Sequence, residues 1–222
     1  MIDKLKKKKR GFTLLELLVS VTIFAITIMV GVDLFFTIVK IQRRISYVQE
    51  LQGDARNLLE EMAREVRLGS IDYEYYTDKA INFSDLRDAS TDNNKILVIK
   101  DPDDNRSFFK RVDAGTTLVK NPSRNRFVIK ICYIDARSDS EDKCDQESNW
   151  EIATPEGFHV EKFLIFVNPE VNPFELNESY EYDFDEQPRV TIILQTESDR
   201  KEKAYQIFSR LQTTVSSRLY LR

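Results

Sequence analysis

From Phe12 to Val32 the chain runs through 21 residues that are apolar apart from small hydroxyl side chains, one glycine and one carboxylate, Glu16. As a helix at about 1.5 Å per residue this stretch spans about 31 Å, the thickness of a bilayer's hydrocarbon core. It is long enough to cross a membrane once. Six cations stand before it (Lys4, Lys6, Lys7, Lys8, Lys9 and Arg10) against Asp3 alone. The positive-inside tendency therefore keeps the N-terminus cytoplasmic and sends the C-terminal part of the chain outside.

A secretory signal peptide fits poorly. Its apolar core is about 7–15 residues and closes on a small-residue cleavage site, whereas here the run continues through Met29, Val30 and Val32 without one. An ordinary single-pass anchor explains the length and the charges but leaves Gly11 and Glu16 without a role. An acidic side chain well inside a membrane helix costs about 2.5–3.5 kcal/mol and marks a specific partner.

Arg10-Gly11-Phe12-Thr13-Leu14-Leu15-Glu16-Leu17 resembles the class III signal of type IV pilins and type II secretion pseudopilins: a basic leader, glycine, a cut, phenylalanine, and glutamate at the fifth mature position. The resemblance covers Lys6 to about Val32. It implies cleavage between Gly11 and Phe12 by a membrane-embedded prepilin peptidase on the cytoplasmic face and N-methylation of Phe12. It further implies assembly through Glu16 with other pilins or pseudopilins at an inner-membrane platform. Glycine suits the scissile position because it resists helix and carries no side chain, so the backbone can extend into a protease cleft. Once Gly11 is gone, Phe12 bears an α-amine of unperturbed pKa about 7.7–8.0. Buried ions are tolerated mainly as pairs, and Glu16 of a staggered neighbour supplies the counter-charge. The competing reading leaves Glu16 hydrated near the interface, six residues past Arg10.

The chain has 33 basic and 37 acidic side chains, and residues 1–11 hold six and one of them, so the cleaved protein carries a net charge near −9. Nucleic acid is not an expected partner, because its affinity rests on cationic contacts to phosphate.

Beyond the membrane segment Leu34, Ile38, Ile41, Ile45, Val48, Gln52, Ala55, Leu59, Met62 and Val66 recur at alternating steps of four and three, a helical stripe with one polar member. The pattern predicts a helix to Leu68, with Gly69 supplying the C′ position. The C-terminal half of the stripe reads as the spine of a globular domain rather than a coiled-coil seam, because strands follow at once and need a surface to cover. Those strands are expected at 95–100, 107–112, 116–120, 126–134, 159–167, 189–196 and 203–215, with turns at Asp101-Pro102-Asp103-Asp104-Asn105, Ala114-Gly115, Asn121-Pro122 and Asn168-Pro169. The expected fold is α+β: a long N-terminal helix packed on an antiparallel sheet, as the pilin resemblance also implies. Its divisions are a leader at 1–11, a membrane-spanning half-helix at 12–33, an amphipathic half at 34–69 and a β-rich head at 70–222.

Cys132 and Cys144 both fall on the outer side of this topology and would close a 13-residue loop, a disulfide worth about 3 kcal/mol in an oxidising compartment. Two isolated cysteines and the single His159 do not make a closed zinc site. No catalytic or cofactor-binding motif is found, so neither an enzyme nor a cofactor is expected. Asp101, Asp103 and Asn105 take the first, third and fifth places of a calcium loop, but Arg106 replaces its glycine and Val112 its bidentate glutamate. A tight hairpin is the better account there.

Within the family, the length of the chain and the segments Met62–Arg67 and Leu211–Arg218 resemble J-type minor pseudopilins and large minor pilins. Asp33 stands where shaft pilins commonly carry a helix-kinking proline. Two functions stay open. One is a minor pilin or pseudopilin that primes or caps a filament. The other is a membrane-tethered extracellular binding module or adhesin on a pilin-type anchor.

Overall fold

The computed structural model of the chain describes residues 11–87, 95–175 and 186–218. Residues 1–10 of the expected leader lie outside them. The chain divides after Ser46 into two units, taken here in turn.

The N-terminal unit is the first part of helix α1 (Leu14–Leu68). Every residue from Gly11 to Ile38 is exposed in the isolated chain, Phe24 by 66% and Phe35 by 62%. A helix apolar all round is stable only when lipid or protein covers it. Hydroxyl side chains in it turn inward on the backbone: Ser20, Thr27 and Thr37 donate to the carbonyls four residues back, Glu16, Ile23 and Asp33, at 2.7–2.9 Å. Hydroxyls satisfied in this way are tolerated in hydrocarbon.

In the second unit α1 buries Leu51, Ala55, Leu58, Leu59, Met62, Ala63 and Val66. The head does use this half of the stripe as its spine, with one correction. Gln52 is exposed, and Leu51 and Leu58 complete the buried face instead. The helix stops at Leu68 as expected, but for a different reason. A Cβ on Gly69 would lie 2.6 Å from the Lys100 carbonyl oxygen and 2.8 Å from Ile99 Cγ2. Glycine is required by the close approach of a strand, not by a left-handed backbone.

That approach builds the first sheet. Strands β1 (Ser70–Ile71), β2 (Ile96–Lys100), β3 (Arg106–Thr117), β4 (Asn125–Ile134) and β5 (Glu151–Ile152) run antiparallel in chain order. Between β1 and β2 lie two short helices absent from the expected elements, α2 (Tyr73–Asp78) and α3 (Phe83–Leu86). Asp72 caps α2 by accepting from the Tyr75 N–H at 3.0 Å and pairs with Arg106 at 2.7 Å. β1 covers only the end of β2. The buried Tyr76 hydroxyl replaces a longer neighbour by donating to Ile96 O at 2.9 Å and accepting from Val98 N at 2.8 Å, which satisfies groups that burial would otherwise orphan.

β6 (Phe158–Asn168), β7 (Arg189–Ser198) and β8 (Phe208–Ser216) form a second antiparallel sheet, where one sheet was expected. The reason lies at the junction. Buried Arg111 on β3 donates to Val160 O at 2.9 Å and Glu161 O at 3.2 Å, beside the β6 bulge between Val160 and Lys162. A guanidinium thus takes carbonyls that a neighbouring strand would take, while its carbon lies 3.7 Å from the Phe127 ring centroid. α1, Leu97, Phe109 and Ile129 of the first sheet, and Phe163, Ile165, Ile192 and Leu194 of the second share one apolar core.

Two further expectations are corrected. Ala114-Gly115 is not a turn: β3 continues through it with a register shift, and Gly115 takes φ +69°. The segment 116–120 is therefore not a separate strand, and the chain reverses beyond Thr117, where Leu118 N donates to Arg124 O at 2.8 Å. The last strand begins at Phe208 rather than Lys203, because 203–205 is a 3-10 turn. Its Tyr205 ring packs on Tyr47 with centroids 5.1 Å apart.

Candidate functional site

Gly11 and Phe12 precede α1 and are exposed and non-helical. The helix opens with a capping arrangement: Thr13 Oγ1 accepts from the Glu16 N–H at 3.3 Å, and Thr13 O from Leu17 N at 3.2 Å. Thr13 is thus the N-cap and Glu16 the third helical residue, the Thr-x-x-Glu spacing of a capping box. Glu16 is exposed and sits in the first turn, where the helix dipole favours an anion. This is a local role that the sequence reading did not assign. A Cβ added at Gly11 would meet nothing within 4 Å, so the chain's own packing makes no demand for glycine there.

The head carries a second polar constellation, assembled from three distant segments. His159 Nδ1 accepts from the Phe127 N–H at 3.1 Å. The proton of the neutral ring is therefore on Nε2, which faces Glu161 Oε2 at 3.3 Å. Arg124 pairs with Glu161, and its Nη1 lies 4.0 Å from Glu197 Oε2. Glu197 also pairs with Lys120, whose backbone N–H donates to Asp199 Oδ1 at 3.1 Å. Burial, then the Arg124 and Lys120 charges, lower the His159 pKa to about 4 despite the Glu161 carboxylate. Burial opposes the Glu161 charge, but Arg124 and the His159 N–H outweigh it and hold that pKa below its ordinary value. Burial, reinforced by Arg124, likewise lowers Lys120.

Residues 6–32 match the family described as the prokaryotic N-terminal methylation motif. Over these residues the chain is similar to type IV pilin-like proteins. No curated protein and no solved structure matches it. The matched segment covers Gly11, Phe12 and Glu16, and it implies cleavage by a prepilin peptidase and assembly with other pilins. α1 is long and apolar enough to cross a bilayer once, which agrees with that motif.

Cys132 on β4 and Cys144 in a 3-10 turn are joined in a disulfide with Cα atoms 6.0 Å apart. At the hairpin between β2 and β3, Asp101 Oδ1 accepts from the N–H groups of Asp103 and Asn105 at 2.8 and 2.9 Å, and Oδ2 from Asn105 Nδ2 at 2.8 Å. The Asp103 carboxylate pairs with Arg137 at 3.1 Å. These oxygens serve a turn. The sequence reading set His159 aside as a lone histidine, yet His159, Glu161 and Glu197 bring ligand-type atoms within 4.8 Å of one another. Arg124 and Lys120 already match both carboxylates and Nε2 carries a proton, so the cluster acts as a closed ion-pair network that ties the turn after β3 to the second sheet. Only the tertiary fold joins these segments, and no local spacing signals them.

Proposed function

We propose that this pilin-like chain is a minor pilin or pseudopilin that primes or caps an extracytoplasmic filament and performs no chemistry of its own. The observation that carries the reading is the methylation motif over residues 6–32 in a chain that continues into an α+β head. On this reading residues 1–11 are a cytoplasmic leader in the inner membrane's topology, 12–33 the membrane half of the helix, 34–69 its outer half and 70–222 the head. Prepilin peptidase cuts between Gly11 and Phe12, and the open surroundings of Gly11 support a requirement set by the peptidase rather than by the fold. The methylated Phe12 amine pairs with Glu16 of a neighbour. The large acidic head and Asp33 at the membrane exit favour a minor position over the shaft.

The test is cross-linking and co-purification from membranes with other subunits bearing Gly-Phe-Thr leaders, cleavage being followed in parallel. Glu16→Ala and Glu16→Gln are both cut. Their incorporation falls by about 100-fold or more, because removing one partner of a buried charge pair costs about 3–5 kcal/mol. The capping bond at Thr13 uses the backbone N–H of Glu16, so both variants keep it and its loss does not mimic that fall. Normal incorporation of both variants contradicts the proposal and favours the tethered binding module.

A further inference from the structure

Between α2 and the disulfide-closed loop the head opens a cleft of about 670 Å³, within the range of ligand-sized sites, about 300–1,000 Å³. Its wall includes a run of aromatic rings: Tyr75 and Phe108 have centroids 5.6 Å apart, and Phe108 and Trp150 6.4 Å apart. Lys110, which does not line the cleft, places its Nζ 3.8 Å from the Trp150 centroid, so this ring already stacks with one cation of the protein's own. The borders are acidic. Glu74 and Asp78 come from α2, and Asp142 and Asp145 from the 3-10 turn that carries Cys144.

The cations around the cleft are largely committed. Lys100 pairs with Asp104 at 3.0 Å and Arg106 with Asp72 at 2.7 Å. Among the described residues none of Glu74, Asp78, Asp142 and Asp145 has an ion-pair partner, and Lys79 is the one cation at the cleft without a carboxylate. Burial, with Asp145 next in effect, pushes the Tyr75 hydroxyl above its ordinary pKa, and Asp145 lines the same cleft as Tyr75. A concave surface with unpaired charge of one sign concentrates its field on the opposite charge, and aromatic faces add cation–π attraction that is strongest for guanidinium.

We propose that this cleft docks a basic segment of a partner protein through its arginine or lysine side chains. A free organic cation gains little from open, hydrated carboxylates. A polypeptide adds backbone and side-chain contacts across both borders. The inference does not rest on the filament reading.

Trp150 is the chain's single tryptophan and reports on the cleft directly. The full-length chain in detergent is titrated with acetyl-Gly-Arg-Arg-Gly-amide while Trp150 emission is followed, with acetyl-Gly-Gln-Gln-Gly-amide and free arginine as comparisons. The expected result is a saturable change with the arginine peptide, weakened by salt, and none with the glutamine peptide. Asp142→Asn combined with Asp145→Asn raises the Kd about tenfold or more, whereas Glu202→Gln, an exposed acid outside the cleft, leaves it unchanged. Absence of saturation, equal binding to the double variant, or free arginine binding as well as the peptide overturns the proposal.

Discussion

Acid should loosen the head through a single side chain, His159. The ring is fully buried, and its pKa is lowered to about 4 from an unfolded value of about 6.5. Between those values the unfolded chain binds a proton that the folded chain refuses, so lowering the pH favours unfolding. The stabilisation is fully present above the unfolded pKa and disappears as the pH falls through the window to about 4. Integrating the difference in bound protons gives a loss of about 2 kcal/mol between about pH 7 and about pH 5. The window is well isolated, because His159 is the chain's only histidine and Glu161 stays ionised there with its lowered pKa. Arg124 and Lys120 are the cations that face the ring. Urea unfolding of the full-length chain in detergent, followed by Trp150 emission, measures the change. His159→Gln cannot titrate in this range, and the dependence should flatten. Equal stability of the parent at both pH values, or the same loss in His159→Gln, would refute the reasoning.

Two further predictions concern the fold. Gly69→Ala should destabilise the head by about 1–3 kcal/mol in urea unfolding, because the added Cβ meets Lys100 O at 2.6 Å and Ile99 Cγ2 at 2.8 Å; a variant as stable as the parent would show that β1 and β2 separate freely. Cys144→Ser should cost about 3 kcal/mol by the loop-entropy argument, and a peptide map without reduction should recover Cys132 linked to Cys144, free thiols being the contrary result.

The long helix was legible because its signal is repeated: apolar residues persist from Phe12 to Val66, and the stop at Gly69 is local. The strands containing Phe127–Ile134 and Val190–Thr196 were legible from β-branched and aromatic density. α2 was not read from Tyr73-Glu74-Tyr75-Tyr76, where aromatic residues favour strands as much as helices, although Asp72 carried a capping signal. The turn expected at Ala114-Gly115 failed because a glycine within a strand pattern also fits a bulge. The division into two sheets depends on Arg111, an arginine buried across a junction that only tertiary contact creates. The assembly segment was readable because its chemistry lies in consecutive residues. The His159 network was not, because its members meet from the turn after β3, the start of β6 and the end of β7.

The central claim, that this chain is a pilin-type subunit processed at Gly11, is tested most directly by the intact mass of the membrane-extracted protein. The predicted result is a chain that begins at Phe12 and is heavier by one methyl group, with Gly11→Val left uncut. A full-length species as the sole product from cells with an active prepilin peptidase would contradict it.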